Sequence, residues 1–256
     1  MPERPHASLT KITFLALLIL VLWWALKGTE FEGSRLVQGV PRGAQFIREM
    51  FPPDLKVLPK ALTDLVVTVQ MAILGTLISF VLAVPVSFVA ARTVVLPRWI
   101  SSSIKYFLNA LRAVPSFVYA ILFVYMVGLG PFTGALGISV GSFVFLAKLF
   151  AEALESVHPA PIEAVKAVGG NSLQVFAYGM LPQALPQFLS HTLYAWELNI
   201  GSATIVGIVG AGGIGQQMIE HIRYFQWPQT CTYVLVLVAM VLVADAVSYQ
   251  IRKRYT

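Results

Sequence analysis

Residues 158–187 read HPAPIEAVKAVGGNSLQVFAYGMLPQALPQ, a stretch rich in polar residues, proline and glycine between two long apolar runs. Pro161, an acid at Glu163 and the Gly169-Gly170 pair predict a short helix over 162–168. Proline fits a first turn because its missing N–H has no helical partner there, an acid near that end meets the positive pole of the helix, and glycine ends it. Asn171-Ser172 then caps a second short helix through Tyr178, and Leu181-Pro182 is expected to turn the chain back toward the membrane. The product is a compact helix pair projecting from its support, a shape suited to docking into a groove on a soluble partner. On secondary structure alone, an ordinary polar connection would look much the same.

The flanking runs are long enough to cross about 30 Å of hydrocarbon, which takes about 20 helical residues. Six spans are expected, near 12–26, 65–91, 103–127, 133–152, 186–209 and 230–249. Pro85 interrupts the second, and Gly128, Gly130, Pro131 and Gly134 separate the third from the fourth. Arg4 and Lys11 precede the first run, but no small-x-small cleavage site follows it, so it reads as a retained helix and not as a signal peptide. Composition agrees: 57% of the residues are apolar, only 12% are charged and the mean hydropathy is +0.75. A water-soluble domain carries about a quarter charged residues. The expected fold is an all-α membrane protein with six transmembrane helices. It divides into an N-terminal helix (1–28), an external loop or surface helix (29–62) and a five-helix domain (63–256) that carries the 158–182 loop.

Lys and Arg collect on the cytoplasmic side of membrane proteins. Placing both termini inside gathers Arg4, Lys11, Arg92, Arg98, Lys105, Lys148, Lys166 and the Arg252-Lys253-Arg254 cluster there. Segment 29–62 runs against the pattern with Arg35, Arg42, Arg48, Lys56 and Lys60, accompanied by Glu30, Glu32, Glu49 and Asp54. It is an external loop or an amphipathic surface helix, since Phe46, Ile47, Met50 and Phe51 fall at helical spacing beside Arg48 and Glu49. The net charge of +6 is dispersed between apolar runs, which argues against nucleic acid as a partner. Cys231 has no cysteine partner, which excludes a disulfide framework and a cysteine-based metal site.

Catalytic signatures such as HExxH or GxSxG are absent, and so is a P-loop, so this chain is expected to hydrolyse no ATP itself and to bind no cofactor or metal. The run 210–215, GAGGIG, matches a dinucleotide fingerprint, but apolar helix precedes it and no acid stands near residue 230. Gly210, Gly212, Gly213 and Gly215 instead offer a backbone break or gate at the outer end of the fifth span. Ionisable groups inside spans mark a pathway or a buried pair. Arg112 stands in the third span before the Val114-Pro115 kink, with Asn109 and Ser116 nearby; Glu197 stands in the fifth, with His191, Asn199, Ser202 and Thr204. An oxyanion would be welcomed by Arg112, Asn109, Ser116, Ser202 and Thr204, whereas Glu197 is expected to be a structural partner for Arg112 or another cation. Asp245 is expected to pair locally or reach the interface. Gly134, Gly137 and Gly141 allow another helix close approach. Trp23 with Trp24, and Arg223 with Tyr224, Phe225 and Trp227, suit membrane interfaces.

In the opening stretch, Glu163-Ala164-Val165 is followed three residues later by Gly169, and Leu181-Pro182 completes the spacing. This pattern resembles the cytoplasmic EAA loop of ABC importer permeases, with Val165 for the second alanine and Gly179 for a hydrophobic residue. PSFVYAILFVYMVGLGP (115–131), KLFAEALE (148–155) and ELNIGSATIVGIV (197–209) resemble the phosphonate and phosphite permease branch, over roughly residue 65 to the C-terminus. The resemblance implies a type I importer permease core of five helices behind one additional N-terminal helix, in the inner membrane. It implies that Glu163, Ala164, Gly169, Leu181 and Pro182 couple to an ABC ATPase dimer, which holds ATP and Mg. It further implies a second copy of this chain, a periplasmic substrate-binding protein, and a phosphonate, phosphite or related phosphorus oxyanion as cargo. Methionine permeases carry a similar loop and glycine-rich fifth helix but ordinarily lack the first helix. A secondary transporter would show paired broken helices in inverted repeats, and the EAA spacing speaks against one.

Overall fold

The computed structural model describes residues 6–92 and 98–253, so Arg4, Arg254 and the side chain of Arg98 lie outside the described residues. Every regular element among them is helical, and they form two units divided between Glu49 and Met50. In the first unit, α1 (His6–Gly28) is apolar around its circumference and, at 23 residues, exceeds the length a span requires. Lys27 lies 5.2 Å over the Trp23 ring, an amphipathic pair suited to the end of a span. In the segment expected as loop or surface helix, α2 (Gly33–Met50) is strongly amphipathic and has no buried residue. Its Arg35–Glu32 ion pair is exposed and contributes little.

The second unit is built around α3 (Leu58–Ala90) and α6 (Pro131–Glu155), which pack along each other more extensively than any other helix pair. Every buried residue of α3 except Met71 is Ala, Gly, Ser or Thr. A Cβ on Gly75 would lie 3.1 Å from the Ala135 carbonyl oxygen, and Ser79 Oγ donates across the seam to the Ser139 carbonyl at 2.8 Å. Toward the loop end, Phe150 stacks on Phe188 with ring centroids 3.9 Å apart.

The third expected span is two helices, α4 (Arg98–Arg112) and α5 (Ser116–Val127), bent by 82°. Pro115 supplies no N–H and is itself extended, which stops α4 before α5 can begin. Contacts climb α6 in order: Lys105 pairs with Glu155 at 2.8 Å, Asn109 accepts from Lys148, Ser116 crowds Gly141, and Ala120 lies against Gly137. The bend therefore falls near the middle of α6. The glycines Gly134, Gly137 and Gly141 admit several neighbours and not a single helix, since Gly134 faces Met71 and Ala211.

The fifth span, α9 (Leu181–Val206), widens into a π-helical turn (Gly207–Ala211) and bends by 61° into α10 (Gly213–Arg223). Gly210, Gly212 and Gly213 take φ of 99°, 89° and 68°, where side chains are strained. α10 packs so tightly on α9 that a Cβ on Gly215 would overlap the Thr204 carbonyl, and the Ile214 N–H donates to Thr68 Oγ1 at 2.9 Å. α11 (Trp227–Arg252) closes the bundle, with Tyr233 OH donating to Asp64 at 2.8 Å. Counting each bent pair as one span gives six.

Arg252 Nη2 donates to Glu197 Oε1 at 3.0 Å, so Glu197 has the structural cation partner expected of it, and of the alternatives that cation is Arg252 and not Arg112. Residues two apart on a helix face different ways. Glu197 therefore turns to α11 while Asn199 turns to α3 and α6. Asp245, expected to pair locally or to reach the interface, is exposed and makes no ion pair among the described residues, which removes the first alternative.

Two substitutions test this packing. Backbone atoms fill the space beside Gly215, so Gly215→Ala is expected to lower the unfolding temperature of the detergent-solubilised protein, at about 1–3 kcal/mol. Gly201→Ala, with open space around it, is expected to leave that temperature unchanged; equal values for both would refute the close approach. Glu197→Arg is expected to destabilise, and adding Arg252→Glu to recover about half of the loss. A double variant no more stable than the single would remove the pair from the account.

Candidate functional site

The loop after α6 begins with α7 (Pro159–Ala167), whose N-cap His158 accepts from the Ala160 N–H through Nδ1 at 3.3 Å. Gly169, at φ 83°, ends it, and the Gly170 N–H returns to the Val165 carbonyl at 3.0 Å. Asn171 and Gln174 cap α8 (Ser172–Gln174) reciprocally, each side chain accepting from the other's backbone N–H at 2.9 and 2.8 Å. The expected turn at Leu181-Pro182 is absent. The helix instead widens through a π-helical stretch (Val175–Met180) and continues into α9. The extra residue per turn accommodates Pro182, which has no N–H to give, and the Gly179 carbonyl is satisfied by Gln183 Nε2 at 2.6 Å. Gly179 stands where the EAA pattern has a bulky residue because α7 crosses it: a Cβ there would lie 3.2 Å from Ile162 Cα.

Ile162, Val175 and Phe176 hold this helix pair from inside, leaving Glu163, Ala164 and Gly169 exposed on its outer surface, while Leu181 is half-buried and Pro182 exposed. Glu163 has no hydrogen bond or ion pair among the described residues. Val168, Leu173 and Tyr178 add a 65–85% exposed apolar rim, which the sequence signalled only as apolar residues flanking the glycine and Asn caps. Val165, Val168, Gly169, Gly170, Gln174 and Tyr178 border a concavity of about 410 Å³. A free carboxylate beside exposed apolar groups on a short rigid projection is the chemistry of a protein-docking surface.

A second cavity, of about 250 Å³, lies at the α4–α5 bend and brings together Arg112, Ser116, Asn199 and Ser202. Ser142 and Gly141 also line it; polar serine and threonine inside apolar runs were the available signal. Ser142 Oγ donates to Asn199 Oδ1 at 2.5 Å and Asn199 Nδ2 donates to Thr76 Oγ1 at 2.8 Å, a buried chain joining α6, α9 and α3. Three expected pathway residues lie elsewhere. Asn109 sits one turn away in another cavity with Lys105, Lys148 and Glu152; Thr204 is buried with its hydroxyl on the Ile200 carbonyl at 3.2 Å; Glu197 faces Arg252. Gly210 borders a further cavity of about 470 Å³ at the α9–α10 break, with Gln216, Glu220 and Arg223. Gly212, Gly213 and Gly215 form that break and its seam instead of lining the space. No group of three or more His, Cys, Asp or Glu able to hold a metal occurs among the described residues.

Residues 83–255 match the family model described as binding-protein-dependent transport system inner membrane component. The phosphite transport system permease protein PtxC of Stutzerimonas stutzeri is 38% identical over 224 residues, 88% of this chain and 82% of that protein. The phosphate-import permease protein PhnE of Mycolicibacterium smegmatis is 35% identical over 206 residues, 80% of this chain but 39% of that longer protein. Among solved structures, a chain of the MetNI methionine ABC transporter in an inward-facing conformation superposes with a TM-score of 0.71 at 21% identity, covering 79% of this chain and 99% of that one, a likeness of fold alone. The chain belongs to the binding-protein-dependent transport system inner membrane components: it is a non-catalytic, multi-pass permease subunit of the inner membrane that works with an ATPase and a substrate-binding protein.

Proposed function

We propose that this chain, paired with a second copy of itself, forms the membrane passage of an ATP-driven importer for phosphite, phosphonate or a related phosphorus oxyanion, with both termini in the cytoplasm. The projecting α7–α8 pair carries the coupling half of this proposal. Its rigid caps, free Glu163 and exposed apolar rim give a soluble ATPase a defined knob to grip. ATP and Mg belong on that partner. When the ATPase dimer closes on nucleotide, two such knobs are drawn together; because each continues into α9 without a hinge at Leu181-Pro182, the motion passes as a rigid-body tilt to the centre of the bundle. Lys105 and Lys148 lie toward the loop end of α6, which supports a cytoplasmic position for that end. The cargo class is supported by relatives named for phosphite and phosphate transport that align along most of this chain.

Charge reversal tests the coupling. Glu163→Arg is expected to abolish copurification of the ATPase and to lower uptake by at least about tenfold, the scale of losing a charged contact at an interface; a complex that still copurifies and transports would remove Glu163 from the docking surface. Cargo is tested by uptake of labelled phosphite in cells expressing the whole transporter, competed by methylphosphonate, phosphate or methionine. Competition confined to the phosphorus compounds is expected. Competition by methionine alone would overturn the cargo class while leaving the importer architecture intact.

A further inference from the structure

The cavity at the α4–α5 bend has a charge balance that the coupling mechanism does not use. Arg112 is its only charged lining residue, and no carboxylate borders it. The Arg112 guanidinium is exposed and has no ion pair or hydrogen bond among the described residues, and the Ser116 hydroxyl beside it is likewise without a partner. Both stand near the middle of α6, where Ser116 crowds Gly141. An unpaired cation at that depth is expensive against lipid, so the open side of the cavity faces water or protein. The break at Pro115 also puts the first turn of α5, the positive end of a half-helix, at the same space. Behind these groups, the Thr76–Asn199–Ser142 chain fixes the polar wall, and the Glu197 carboxylate is turned away onto Arg252.

We infer that this cavity is a transit site for a small oxyanion, with Arg112 as its counter-charge and Ser116 as a hydroxyl donor, completed on its open side by the second copy of the chain. The assignment deepens the proposed cargo class and rests on it for the identity of the anion. Gly141 keeps the site open, since any side chain there would displace the Ser116 hydroxyl.

The charge preference is read without cargo by placing a thiol in the wall. In the assembled complex, with the buried Cys231 replaced by alanine, Ser202→Cys is exposed to anionic and cationic methanethiosulfonate reagents of similar size. The anionic reagent is expected to react about tenfold faster, the ratio to fall to about one when Arg112→Ala is added, and Arg112→Lys to keep most of it, because the site acts through a positive charge at close range. Phosphite added in excess is expected to slow modification of Ser202→Cys. Equal rates for the two reagents, or a preference indifferent to Arg112→Ala, overturn the inference. Labelled phosphite uptake runs in parallel: Arg112→Ala is expected to lose about tenfold or more while the ATPase still copurifies, and uptake at the unmodified rate overturns the site. An unmodified complex that takes up no phosphite overturns the cargo class alone, since the reagent ratio is measured without it.

Discussion

Helices in a membrane have no water to escape from, so α3 and α6 are held together by how closely their backbones can approach. That approach depends on side-chain size. Along α3 the buried positions are almost all Ala, Gly, Ser or Thr, and Gly75 and Ser79 bring it within hydrogen-bonding reach of the α6 backbone. Elsewhere on α6, Gly134 admits Met71 of α3 and Ala211 at the α9–α10 break, while Gly137 and Gly141 receive Ala120 and Ser116 of α5. With α6 fixed by these contacts, the remaining helices have few other ways to close around it.

The polar features sit where this frame is interrupted. Pro115 ends α4 at the middle of α6 and exposes Arg112 and Ser116 there; the glycines after Val206 release the chain into α10; the π-helical stretch 175–180 carries α9 past Pro182 without a turn. Irregular backbone at membrane depth is tolerated only where it is buried in protein or lines a cavity. Each interruption here meets that condition: the first borders the Arg112 cavity, the second is sealed by Gly215 against Thr204 and by Ile214 on Thr68, and the third is packed under α7. From Ser172 to Val206 the chain is helical without interruption, so the loop end and the stretch carrying Asn199 and Ser202 belong to one helix.

Much of this was legible in the chain. Lipid as the solvent follows from the scarcity of charge, the number and rough position of the spans from uncharged runs, the C-terminal end of α7 from Gly169, though its start at Pro159 under the His158 cap lies earlier than Pro161 suggested, and the break after Val206 from the glycine cluster. These features are local: each depends on neighbours within a few residues, and helical periodicity or backbone freedom is set at that range. Glu163 and Gly169 were legible in the same way, because both belong to one short capped segment.

What the sequence left open were choices between partners far apart in the chain. Glu197 had several cations in reach of an argument, and only the crossing of α9 and α11 selects Arg252. Asn109, Thr204, Ser116 and Ser202 all offer polar side chains, yet Asn109 is taken by Lys148 and Thr204 is buried in the bundle, while Ser202, also bonded to the α9 backbone, and Ser116 line the cavity with Arg112. Pro182 read as a turn because proline removes a hydrogen bond, whereas in the bundle the helix widens before it and continues. The sequence by itself determined the solvent, the spans and the breaks, because these follow from hydropathy and local backbone freedom. Tertiary structure alone decided which polar groups are consumed by packing and which remain to meet an ion, because that depends on distances between helices that no local pattern encodes.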